Sequence, residues 1–189
     1  MADNPSIGEA TGDVGDDRYN RMAIALHWVI AALFAVNFLT GFFRETFGSE
    51  AVRTIMGIHK PTGLLILVLT LVRIGWRLGH RPPPFPAGPS WQIVVANGVH
   101  VLLYLLMLAL PLTGWAMASA TPVSRPLSFY GLFPLPFLPL PRSTWLDELF
   151  NSLHFGLGII ALLAIALHVA AALKHQFVDR DRLIYRMMP

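Results

Sequence analysis

The chain contains no cysteine. That absence excludes iron–sulfur clusters, thiolate zinc sites, covalently attached c-type haem and structural disulfides. Charge is scarce as well: 13% of the 189 residues are Asp, Glu, Lys or Arg, against about 25% in a soluble domain. The long apolar runs hold no carboxylate at all, so a di-iron site of inward-facing Glu and Asp has no ligands. No nucleophile–base–acid constellation appears, which argues against hydrolytic or group-transfer chemistry. The N-terminus lacks the positive segment of a signal peptide and begins instead with Asp3, Glu9, Asp13, Asp16 and Asp17.

What is present is apolar. Hydrophobic residues make up 54% of the chain, and the mean hydropathy is +0.56. Four runs are long enough to span a bilayer: residues 22–43, 59–78, 93–118 and 149–173. The expected fold is all-α, an integral membrane four-helix bundle, formed by residues 18–189 behind a disordered acidic tail at 1–17. Pro61 fits the first turn of the second span, Pro82-Pro83-Pro84 stops it, and Pro111 predicts a kink in the third. The connector at 127–141 reads LSFYGLFPLPFLPLP. Its prolines forbid a regular helix, so it is expected to lie along the interface and cap one end of the bundle. No internal repeat or domain boundary is apparent.

An even number of spans puts both termini on one side. Arg18, Arg21, Arg73, Arg77, Arg81, Lys174, Arg180, Arg182 and Arg186 fall on that side, against Arg44, Arg53, Lys60, Arg125 and Arg142 on the other. The excess predicts cytoplasmic termini. Although the pI is near 9.7, the basic residues stand at the ends of apolar runs, so they read as topology signals and not as a nucleic-acid surface.

The histidines fall at two depths. His154 and His168 lie fourteen residues apart on the fourth span, hence on nearly one face and roughly 21 Å apart along it. His59 joins His154 near the outer surface; His27 and His100 join His168 in the cytoplasmic half; His80 and His175 mark the cytoplasmic boundary. A lone intramembrane histidine is often only hydrogen-bonded to a neighbouring helix, but five in two layers point to stacked metal or haem sites. Depth pairs His59 with His154, and leaves both His27 and His100 as partners for His168. Arg73, fourteen residues after His59, shares that helix face at the inner level and could meet a haem propionate; snorkelling to the headgroups is the alternative.

The motifs Arg21-x5-His27-Trp28, His59-Lys60-Pro61-Thr62-Gly63, Arg73-x2-Trp76-Arg77-Leu78, His100-x3-Tyr104 and Leu110-Pro111-Leu112-Thr113-Gly114-Trp115 follow in order. With His154, His168, Lys174-His175, Asp179-Arg180-Asp181 and Arg186-Met187-Met188-Pro189, the set resembles the prokaryotic cytochrome b561 family over about residues 18–189. The acidic tail and the Pro-rich connector depart from the family pattern. So does His175-Gln176, where relatives often carry a His-His pair. The resemblance implies two b haems, held by His59/His154 and His27/His168, in a bacterial inner membrane. It implies an oxidoreductase passing electrons from a periplasmic donor, with superoxide the candidate, to ubiquinone.

On this reading Lys60, Arg53 and Arg142 would attract a small anionic donor. His100 and His175, with Arg77, would serve quinone and its protons at the cytoplasmic end. The alternatives are a cytochrome b subunit of a larger dehydrogenase or hydrogenase, fed by a redox partner protein, and a non-redox histidine-lined metal transporter.

Overall fold

A computed structural model describes residues 18–43, 46, 48–84, 89–123, 126–181 and 183–189. Helices α1 (Arg21–Phe42), α2 (Ser49–Gly79), α3 (Ser90–Ala120) and α4 (Thr144–Lys174) make up most of it. Each contains a stretch long and apolar enough to cross a bilayer, and the protein is a multi-pass four-helix membrane bundle. Sequential helices pack as neighbours. Apolar side chains stay exposed around the outside, Val94 and Leu163 among them, as lipid-facing surfaces require. The buried core is small: Leu106 and Leu110 of α3 meet Ala161 and Ala164 of α4, whose short side chains let the two helices approach closely.

Two helices start five or more residues before their expected spans. α2 starts at Ser49, not near His59, and α4 at Thr144, not Leu149. Pro61 therefore lies inside α2 and not in its first turn. Its missing donor deprives only the carbonyl of Gly57, an exposed residue, of its usual partner. An apolar-run criterion sees the hydrocarbon portion of a helix alone, while the backbone ladder continues into the headgroup layer. Residues 1–17, Arg44, Arg125 and Arg182 lie outside the described residues.

The Pro-rich connector does cap one end of the bundle, but with regular structure at its start. Strands β1 (Ser128–Phe129) and β2 (Phe133–Pro134) pair antiparallel around Tyr130 and Gly131, both at positive φ (49° and 78°). Leu132 N donates to Phe129 O across this turn (2.9 Å), and the loop between the paired strands has three residues, 130–132. The Tyr130 hydroxyl sits 2.7 Å from Thr62 Oγ1 on α2. Trp115 Nε1 donates to Pro136 O (2.9 Å), and Leu138 N to Ser119 Oγ (3.0 Å), which fixes the rest of the cap on α3.

The structure also corrects the reading that the chain has no repeat: α1–α2 and α3–α4 are two versions of one hairpin. His27, Thr40 and Gly41 on α1 correspond to His100, Thr113 and Gly114 on α3, each 73 positions on. His59 and Gly63 on α2, and His80 just after it, correspond to His154 and Gly158 on α4 and to His175 just after it, each 95 positions on. The contacts repeat with the residues, as the histidine pairs below show.

The first and last described residues meet at the other end, the terminal end. Asn20 caps α1 by accepting from Ala23 N (2.8 Å), and the same oxygen accepts from Trp76 Nε1 of α2 (3.0 Å). After α4 the chain makes a π turn, His175–Asp179, and a 3-10 turn, Leu183–Met187. This strap crosses back to α1: Trp28 Nε1 donates to Met187 O, Arg18 Nη2 to Met188 O, and Tyr19 N to Arg186 O.

Candidate functional site

At the connector end, the rings of His59 and His154 face each other with centroids 6.2 Å apart and planes at 78°. His59 Nδ1 lies 3.0 Å from Asn37 O, and His154 Nδ1 lies 3.0 Å from Leu110 O. A carbonyl only accepts, so Nδ1 carries the proton in both rings and the ring lone pair is on Nε2. Thr40 Oγ1 and Thr113 Oγ1 stand at 3.4 and 3.1 Å from the same Nδ1 atoms, while bonded to carbonyls of their own helices. Carbonyl and hydroxyl together fix tautomer and ring orientation, the part played by outer-shell partners of metal-bound histidines.

The pair opens into an apolar cavity of about 370 Å³, lined symmetrically by the two hairpins. Phe42 matches Trp115 across it, Met56 matches Asn151, and Leu64 matches Ile159. Two glycines make the space beside the rings. A Cβ on Gly41 would come within 2.8 Å of His59 Cε1, and one on Gly114 within 3.2 Å of His154 Cε1. Asn37 Oδ1, on another lining residue, is buried without a hydrogen-bond partner.

At the terminal end, three imidazoles pack together. His168 lies 6.3 Å from His27 and 5.4 Å from His100, centroid to centroid. Arg73, the α2 counterpart of His168, approaches the same group but is tied to α3: its Nε donates to the Tyr104 hydroxyl (3.0 Å), and its guanidinium lies 5.9 Å from that ring.

These arrangements suit haem. An iron held between two imidazoles needs ring centres about 6 Å apart, from two metal–nitrogen bonds of about 2 Å and the distance from each nitrogen to its ring centre. His59/His154 at 6.2 Å and His27/His168 at 6.3 Å both meet that spacing; His100/His168 is shorter. The connector end adds an apolar cavity, fixed tautomers and glycine cradles. The terminal end offers an imidazole pair of the same spacing and a neighbouring cation, Arg73.

The other expected residues are dispersed. Lys60 lines the cavity beside His59. Arg53 is exposed on the extramembrane part of α2, and Arg142 lies with its guanidinium 5.6 Å from the Phe137 ring in the cap. Neither lines the cavity. His175 bonds Asp181 (2.6 Å) and lies 3.3 Å from Asp179, which also pairs with Lys174. Burial alone would raise the Asp181 carboxyl. The Leu183 N–H and the His175 ring outweigh it and hold the group below its ordinary value. Arg77 stands apart from His175, in a second pocket with Arg18, Arg73 and Arg81. Sequence reasoning quoted Thr113 and Gly114 only within a motif, and gave no site role to them or to Thr40, Gly41 and Asn37. For the threonines and glycines the signal was the doubled Leu-Thr-Gly of residues 39–41 and 112–114.

Comparison with known proteins agrees with this geometry. The family model described as prokaryotic cytochrome b561 matches residues 18–189. "Cytochrome b561 homolog 1" of Escherichia coli (strain K12) is 32% identical over 180 residues, covering 92% of this chain and 98% of the relative. "Probable superoxide oxidase CybB" of Yersinia pestis is 31% identical over 177 residues, covering 91% and 96%. "Cytochrome b562" of Cereibacter sphaeroides is 33% identical over 180 residues, covering 90% and 94%.

Proposed function

The chain belongs to the prokaryotic cytochrome b561 family of b-type membrane cytochromes, and on that premise we propose that it is a di-haem oxidoreductase linking an external donor to ubiquinone. Two histidine pairs of like spacing at opposite ends of a membrane-spanning bundle carry this reading. When bound, haem supplies one-electron redox chemistry, which no side chain of this protein provides. His59 and His154 would hold one haem, and His27 and His168 the other. His27 is preferred over His100 because its ring spacing to His168 matches the connector-end pair. Arg73 would meet a propionate.

The terminal end faces the cytoplasm of a bacterial inner membrane, in keeping with its excess of arginine and lysine. Superoxide is the proposed donor at the opposite face, in line with the name of the Yersinia relative. Two superoxide anions lose one electron each and leave as dioxygen; ubiquinone gains both electrons and two protons to become the quinol. Lys60, in the connector-end cavity, attracts the anion, and Arg53 and Arg142 add to the field at that end. At the terminal end His100 donates to a quinone carbonyl. His175, held by Asp181, hands on protons from the aqueous side.

The test is ubiquinone reduction by the purified protein with superoxide as the sole donor. Turnover should fall with ionic strength, about tenfold between low and high salt, as long-range attraction is screened. Lys60→Gln should slow it further. A rate indifferent to both salt and this substitution would rule out an anionic donor.

A further inference from the structure

We infer that the arginine-lined pocket at the terminal end binds the phosphate of an anionic membrane phospholipid. The pocket measures about 170 Å³ and lies between the start of α1, the end of α2 and the strap. Arg18, Arg73, Arg77 and Arg81 line it together with His80, and among the described residues no carboxylate does. The acids described nearest in sequence to the strap are already engaged: Asp179 with Lys174, and Asp181 with His175. Arg73 is bonded to Tyr104, and Arg18 to the Met188 carbonyl. Arg77 and Arg81 have no hydrogen-bond or ion-pair partner among the described residues. With Arg73 assigned to a haem propionate, three guanidiniums still converge on one small space. Guanidinium forks match phosphate oxygens in pairs, so the chemistry selected is that of a phosphate.

The walls are fixed before any ligand arrives. Trp76 is bonded to Asn20 and stacks on His80 at 3.9 Å, while Arg186 Nη1 donates to Pro84 O (2.7 Å) behind the pocket. Nor is the cluster a general property of these helix ends. The positions in α4 and the π turn that correspond to Arg77 and Arg81 hold Ala172 and Gln176. At those two positions only the first hairpin carries arginines.

Placement argues for a lipid over a free phosphate. The pocket lies where two spanning helices leave the hydrocarbon layer, the depth of phospholipid headgroups. Leu78, between Arg77 and Arg81, is 84% exposed, an apolar contact for the glycerol and acyl portions. A choline headgroup would bring an ammonium up to the arginines, whereas a glycerol headgroup would not, so the anionic lipid is favoured.

Native mass spectrometry of the haem-loaded full chain in detergent tests this, with phosphatidylglycerol, phosphatidylcholine or inorganic phosphate as the added probe. The protein should retain one phosphatidylglycerol per chain about tenfold more tightly than phosphatidylcholine. The double variant Arg18→Gln/Arg81→Gln should lose that preference with its haem spectrum unchanged, and Arg18→Lys/Arg81→Lys should keep most of it. If the double variant fails to take up haem, Arg81→Gln alone carries the same comparison. Equal retention of both lipids, or full retention by the Gln variant, overturns the site. Displacement of phosphatidylglycerol by millimolar inorganic phosphate overturns the lipid assignment in favour of a free anion.

Discussion

At the connector end the two hairpins present the same residue to each other, His59 and His154, whereas at the terminal end the matching positions hold Arg73 and His168. The first arrangement is symmetric in residues, hydrogen bonds and cavity lining. The second keeps the α1/α3 pair, His27 and His100, but offers His168 to both and gives the fourth position to a cation. A repeated hairpin thus builds one balanced site and one unbalanced site. On the proposed pairing, that imbalance leaves one imidazole, His100, for another task. It also puts a positive charge inside a helix, where only an anionic partner or a polar neighbour such as Tyr104 compensates its desolvation.

The largest expected effect separates the two ends. His154→Ala removes one of the two proposed connector-end ligands and should eliminate about half of the haem absorbance while the terminal-end spectrum persists. Pyridine haemochrome quantification measures it, and two haems per chain in the variant would break the proposed pairing. The next variants act at the unbalanced end. His27→Ala should lose the terminal-end haem. His100→Ala should keep both haems and lose quinone reduction about a hundredfold, the scale of an acid–base group. Loss of a haem in the His100 variant would reverse the ligand assignment.

A subtler comparison concerns the glycine cradles. Gly41→Ala forces its methyl to 2.8 Å from His59, and Gly114→Ala reaches only 3.2 Å from His154. The first should cost about 1–3 kcal/mol in overpacking and lower haem occupancy; the second should be milder. Thermal melts of the haem-loaded variants rank them, and equal losses would show that the symmetry extends to the packing.

The smallest effect belongs to Asp181. Its depressed pKa means that its bonds to His175 and Leu183 stabilise the π turn fully above its ordinary value, near 3.8. That stabilisation fades as pH falls through the lower folded value. Amide exchange at Leu183 should therefore accelerate selectively in acid, and Asp181→Asn should abolish the pH dependence.

Much of this was legible in the chain. The spans, the two depths of histidine and the facing of His59 and His154 follow from helical period and apolar length, because lipid leaves the backbone few alternatives. The hairpin repeat was hidden for a geometric reason. The α2–α4 shift exceeds the α1–α3 shift because the Pro-rich connector is longer than the link between α1 and α2, so no single offset aligns both helices. The β-hairpin was masked by prolines that follow its turn. The second supports of the histidines, Thr40 and Thr113, read as ordinary small polar residues until the fold places them against Nδ1. Arg77 kept its place on the helix, but only the strap reveals which groups share its pocket.

The strap also bears on the timing of assembly. Arg186, Met187 and Met188 are synthesised after all four helices, yet they hold the start of the first one through Trp28, Tyr19 and Arg18. During translation α1 and α2 enter the membrane without that clasp. The terminal end closes only when the ribosome has delivered the last described turn. Until then Trp28, next to His27, lacks the carbonyl that the strap supplies.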